Sequence, residues 1–108
     1  NWDPNSIVVI ELEDVVIPQE IVLNNAYPNP FNPSTTISYQ IPEGGANITL
    51  SIYDLRGRLV AELANGFHEY SEKSYEINWN ANNFASGIYL ITLSSDEKVK
   101  TQKITLIK

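Results

Sequence analysis

The single histidine, His68, stands beside Glu69 in "HEYSE", and a His-Glu pair is the first half of a zinc-hydrolase helix motif. Position 72 is Glu where the second imidazole would be required, so the motif fails at that ligand. With Cys 0 and His 1 in 108 residues, a transition metal would have to be held by carboxylates alone, and thiol nucleophiles, redox pairs and disulfide frameworks are excluded. Next to Asn65-Gly66, a turn signal, the histidine reads as a surface-loop residue. The acidic run "ELED" (Glu11 to Asp14) carries the oxygen ligands that calcium prefers. It lacks the alternating Asp/Asn pattern and the turn glycine of a calcium loop, and reads as a solvated strand end. Carboxylate pairs for glycoside hydrolysis exist by number, but a domain of this size has little room for a substrate cleft beside a core. No side chain is matched with a group that would activate it, so the chain is read as non-enzymatic and without cofactor or metal.

Sugar stacking is the other chemistry on offer, from Trp2, Trp79 and the six tyrosines. Tyr39, Tyr75 and Trp79 share faces with aliphatic residues and read as core, which leaves Trp2, Tyr53 and Tyr70 exposed with no common plane. "NIT" (Asn47 to Thr49) matches a glycosylation sequon, a frequent chance match. The net charge of −6 argues against nucleic acid. No Lys or Arg occurs from Asn1 to Leu55, and all seven lie from Arg56 onward, with Lys98, Lys100, Lys103 and Lys108 crowded at the end. Such lysines either steer an acidic partner or keep an edge strand soluble. No apolar run approaches the ~20 residues of a membrane span, and no signal-peptide profile opens the chain. A first residue other than Met gives the expectation of a piece of a longer protein whose export signal lies upstream.

These residues are positioned by short strands. "TISYQI" puts Ile37, Tyr39 and Ile41 on one face, "NITLSIYDL" does so with Ile48, Leu50 and Ile52, and "SYEINW" with Tyr75, Ile77 and Trp79. "PEGG" is turn chemistry between the first two, and Gly57 in "DLRG" supplies the positive φ of a hairpin turn before "RLVAEL". "GIYLITL" is apolar on both faces, as in a central strand covered on each side, and the charged "VKTQKITLIK" suits an edge. With "SIVVIEL", seven strands separated by Pro, Gly and Asn clusters predict an all-β, immunoglobulin-like antiparallel β-sandwich, a small barrel being the alternative. Pro28, Pro30 and Pro33 in "AYPNPFNPSTTISYQIP" make a stiff, non-helical lead, with Tyr27 and Phe31 free to pin it to the core. The domain is placed at 23–108. Residues 1–22 read as a linker or the tail of an upstream domain, with an extra edge strand equally open.

"YPNPFNPSTTISYQIP", "LSIYDLRGRLVAEL", "WNANNFASGIYLITL" and a terminal "KITLIK" occur in that order. From Ile21 to Lys108 the series resembles the type A C-terminal sorting domain of the type IX secretion system, and is similar to the immunoglobulin-like part of flagellar hook-capping proteins. The resemblance implies a non-catalytic address tag, carried by an upstream cargo domain that crosses the periplasm and then an outer-membrane translocon recognising the tag. It also implies, in many relatives, a sortase-like peptidase that removes the tag and fixes the cargo at the cell surface; the cut would fall around Glu13 to Asn25. On this reading Pro28, Asn29, Pro30, Phe31, Asn32, Pro33, Gly57, Ser86, Gly87 and Tyr89 are motif positions with structural roles, Tyr89 as a buried ring with its hydroxyl at the rim. Arg58, Lys98, Lys100, Lys103 and Lys108 are the candidate recognition residues, the C-terminal strand offering an open edge for β-augmentation. Many relatives have Gly-x-His before the tryptophan, where this chain has Ser74, Tyr75 and Glu76. An accessory module for polysaccharide binding or domain spacing is the alternative function, and hook capping a third.

Overall fold

The computed structural model describes residues 18–96 and 98–108. The strand expected at "SIVVIEL", the "ELED" run and Trp2 lie outside them. Among the described residues seven strands follow one another: β1 (Val22–Leu23), β2 (Ser34–Gln40), β3 (Ala46–Asp54), β4 (Leu59–His68), β5 (Tyr75–Asn80), β6 (Gly87–Ser94) and β7 (Val99–Leu106). They form a three-stranded sheet in the order β1-β2-β5 and a four-stranded sheet in the order β4-β3-β6-β7, all antiparallel. The fold is an immunoglobulin-like β-sandwich. Its fourth strand has joined the larger sheet, where the constant-type arrangement keeps it with the first.

Period-two patterning decides which side chains go inward. In β2, Thr35, Ile37 and Tyr39 are buried and meet Trp79, Ile77 and Tyr75 of β5 across the ladder. From the other sheet come Ile48, Leu50 and Ile52 of β3, Tyr89, Ile91 and Leu93 of β6, and Ile104 and Leu106 of β7. Tyr89 also forms a tyrosine corner: its ring is buried and its hydroxyl donates to the Ala85 carbonyl at 2.6 Å, four residues upstream. This hydrogen bond ties the 81–86 loop to the start of β6.

Several expectations are corrected. Asn65-Gly66 makes no turn; β4 runs through it, with Gly66 (φ +134°) opposite Ile48, because tertiary pairing outweighs the local turn preference. His68 is accordingly the half-buried last residue of β4, its Nε2 3.1 Å from the Tyr39 hydroxyl and its ring edge-on to Tyr75. Tyr53 and Tyr70 are half-buried. β6 is central, but its outer side chains Ile88 and Leu90 are only half-buried, since no third layer covers the larger sheet among the described residues. Tyr27 points to solvent at 80% exposure while Phe31, at 2%, is the aromatic that anchors the proline-rich lead in the core. The three X–Pro bonds of that lead are cis.

Candidate recognition surface

Antiparallel pairing gathers the separated motifs at one end of the sandwich. There β2 begins, β5 ends, β3 turns into β4, β6 begins and β7 ends: Phe31 bridges to Leu106, Gly87 pairs with Leu106, and Asp54 pairs with Tyr89. Beneath this motif end lies an aromatic cluster with Trp79 at its centre. The indole centroid is 5.7 Å from Phe31, 5.7 Å from Phe84 and 5.6 Å, edge-on, from Tyr89. One ring thus joins the proline lead, β5, the 81–86 loop and β6, in the tilted and T-shaped contacts that ring quadrupoles favour.

The proline lead also closes the edge of β7. Asn29 acts as a surrogate strand residue, donating from Nδ2 to the Lys103 carbonyl (3.2 Å) and accepting at Oδ1 from the Thr105 N–H (3.0 Å). Phe31 continues the pairing: its N–H donates to the Thr105 carbonyl and its carbonyl accepts from the Ile107 N–H, both at 2.9 Å. Upstream, the Gln102 amide pairs with the Ala26 N–H and the Asn24 carbonyl, each at 2.7 Å. The expected open C-terminal edge is therefore occupied from Lys103 to Ile107. The prolines, having no N–H of their own to satisfy, can lie along it without leaving donors stranded. After the strand, the Lys108 N–H donates to the Ser86 hydroxyl (3.1 Å) and Lys108 Nζ to the Asn82 carbonyl, which fastens the chain's last residue to the 81–86 loop. Pro28 contributes the carbonyl that accepts from the buried Thr35 hydroxyl (2.8 Å), and Pro33 the one that accepts from the Ala81 N–H (2.8 Å).

The β3–β4 turn presents Arg58. Asp54 Oδ1 accepts from the N–H groups of Arg56 (2.9 Å) and Arg58 (3.0 Å), and Oδ2 receives the Arg58 Nε at 2.9 Å. Gly57 closes the turn at φ +84°, a left-handed value that suits glycine, and donates to the Asp54 carbonyl at 3.0 Å. These contacts, the Arg58 N–H first, hold the Asp54 carboxyl below its usual range against a smaller opposing effect of desolvation. A depressed folded-state pKa means that the turn's stabilisation is present at neutral pH and is lost as pH falls through that lowered value. We expect the amide resonances of Arg56 and Arg58 to titrate together with a midpoint below the usual aspartate range, and Asp54→Asn to abolish that transition.

The five candidate cations do not form one surface. Arg58, Lys103 and Lys108 lie at or towards the motif end, whereas Lys98 and Lys100 are at the far end, 3.8 and 3.3 Å from Glu20. Exposed pairs of this kind contribute little stability. Towards the motif end the described charges are Arg56, Arg58, Lys103 and Lys108 against Asp54 and Glu62; towards the far end they are Glu20, Glu43, Glu69, Glu72, Glu76 and Asp96 beside Lys73, Lys98 and Lys100. The front-to-back asymmetry of the sequence has become an end-to-end one. Asp54 was not singled out from the sequence, although an Asp opening "DLRG" at the first turn position was the available signal. Among the exposed large apolar residues, the aromatics are Tyr27 and Phe67, at opposite ends, so the described rings make no sugar-stacking plane. No group of three or more His, Cys, Asp or Glu able to hold a metal occurs among the described residues. Nor does any described helix have the length and apolarity to cross a membrane.

The family model described as "Secretion system C-terminal sorting domain" matches residues 25–108. The chain belongs to the type IX secretion system C-terminal sorting domain family. All the motif positions that build the aromatic cluster and seal β7 fall inside the matched part of this sorting domain. No curated protein matches the chain. Among solved structures, the crystal structure of CopC from Methylosinus trichosporium OB3b is similar, with 21% identity and a TM-score of 0.44, over 81% of the sorting-domain chain and 91% of CopC. As a sorting domain it serves export to the cell surface or the extracellular space and engages the secretion machinery.

Proposed function

We propose that residues 25–108 are the non-catalytic tag by which a longer secreted protein is passed from the periplasm through the type IX outer-membrane translocon, and that the tag is then cut from its cargo. The observation that carries this reading is the family match over 25–108 together with the meeting of its separated motifs at one end of the sandwich. A surface assembled from four distant stretches reports that the domain is folded, which a receptor for completed cargo needs to sense.

Cleavage would fall between Glu13 and Glu20. A peptidase requires extended, unpaired backbone, and from Ile21 onward the chain is committed: Ile21 is buried and Val22 pairs with Gln40. A sortase-like enzyme acting there would leave the cargo for attachment to the cell surface. The test is a fusion of residues 13–108 behind an exported reporter in a host with this secretion system. The reporter is expected outside the cell with the tag removed; its retention in the periplasm would sink the proposal.

A further inference from the structure

We infer that the cleft between the β3–β4 turn and the 81–86 loop is the seat for an acidic, apolar-bearing segment of a protein partner. This rests on the sorting reading for who that partner is, but not for the chemistry of the seat. The cleft, of about 340 Å³, is lined by Asp54, Arg58, Leu59, Val60, Phe84 and Tyr89. Its two halves do different things.

The polar half is the Arg58 guanidinium. Its side chain is 69% exposed, yet its Nε is fixed on Asp54 Oδ2, and Asp54 is itself fixed by two turn amides. The two Nη groups have no partner among the described residues, so the end of the guanidinium fork is held out and oriented for a carboxylate in the two-bond geometry that arginine makes best. A cation already tethered through Nε loses less side-chain freedom on binding than a free one. Asp54 here is a positioning residue.

The apolar half is a floor of Leu59, Val60, Phe84 and Tyr89. It is rigid from below, because Phe84 and Tyr89 both pack on Trp79 and the Tyr89 hydroxyl is tied to Ala85. Leu59, at 57% exposure, is the open part of this floor. An anchored apolar side chain beside a bonded carboxylate is the pattern of an interface hot spot. The charge around the cleft selects its partner: Arg56, Arg58, Lys103 and Lys108 outnumber the acids Asp54, which Arg58 already neutralises, and Glu62, farther along β4, which accepts from the Asn65 amide. An acidic protein segment with one large apolar residue next to a carboxylate satisfies both halves at once.

The experiment is an NMR titration of the 108-residue chain with a short peptide, blocked at both ends, carrying one leucine between two aspartates. The matched control has lysines in place of the aspartates. Saturable shifts confined to Arg58, Leu59, Val60, Phe84 and Tyr89, absent with the lysine peptide, are expected. Arg58→Gln should weaken binding by about tenfold or more, the loss of a charged hydrogen-bonded pair. Arg58→Lys should recover only part of it, and Phe67→Ser at the far end should change nothing. Equal response to both peptides, shifts spread over both ends, an unaffected Arg58→Gln variant, or response to phosphatidylglycerol vesicles but to neither peptide would overturn the inference. In the reporter fusion, normal export of Arg58→Glu and Leu59→Asp would also overturn it, while failure of the unaltered fusion bears on the sorting reading alone.

Discussion

Replacing Phe31 by alanine is expected to lower the unfolding free energy by about 3–5 kcal/mol, the range for deleting a buried aromatic ring. The ring is 2% exposed and lies 5.7 Å from Trp79, in a core whose other walls are fixed by strand pairing and have little freedom to collapse into the space. Phe31 is also the large apolar side chain that holds the proline lead to the core, as its neighbour Tyr27 is in solvent. Losing it therefore loosens the backbone pairing of residue 31 with Thr105 and Ile107 and uncovers the edge of β7. Aggregation should rise along with the loss of stability, since an uncovered edge is a template for another strand. Asn29→Ala separates the two effects. It removes a pair of exposed hydrogen bonds, at a cost of about 1–2 kcal/mol, and leaves the core intact. Urea denaturation with light scattering distinguishes the variants. A Phe31→Ala protein no less stable than Asn29→Ala would contradict the anchoring role given to the ring.

The second large effect is expected at Gly45. A Cβ there would run into Phe67 Cζ and sit 2.9 Å from the His68 carbonyl oxygen, on a backbone with φ +82°. The positive φ alone costs about 1–2 kcal/mol for alanine. The Phe67 ring is exposed and can swing away, but the His68 carbonyl belongs to the β3–β4 ladder opposite Ala46 and cannot move without breaking that pairing. Gly45→Ala is thus expected to cost about 2–4 kcal/mol in all. Gly44 supplies the control: it has φ +95° and nothing within 4 Å of the added carbon, so Gly44→Ala carries the backbone cost alone. Equal urea midpoints for the two variants, at equal slope, would show that the close approach to His68 contributes nothing.

Much of the sandwich was legible because alternation is a local signal. Ile37 and Tyr39, or Ile48, Leu50 and Ile52, declare an inward face whatever they later meet. Gly57 and "PEGG" were legible for the same reason, their φ requirements being set within a few residues. Asn65-Gly66 misled because the same dipeptide that favours a turn also tolerates a strand, and the ladder to Ile48 and Thr49 decided between them. The sealing of β7 by Asn29 and Phe31 spans more than 70 residues of sequence, as the separations of 74 and 76 for the Asn29 contacts show, and no periodicity encodes it. The lysines were seen as one crowd because they are close in sequence. A strand of eight residues carries Lys100 and Lys103 towards opposite ends, where the first finds Glu20 and the second does not. The Arg58 candidate was visible by its charge, whereas its orientation depends on Asp54, and the apolar floor beside it on Phe84 and Tyr89 from another strand connection.

The path of the lead carries one more consequence. Ile21 and Val22 sit by Gln40 and the far-end turn, and the chain then runs antiparallel to β2 until Phe31 reaches the motif end. The seven residues of β2 put about 20–25 Å between those two points. Whatever arrives from upstream is consequently joined at the pole opposite Arg58 and Lys108. In the proposed sorting role the cargo and the receptor would then engage opposite poles of the sandwich, and the two would not compete for the same surface.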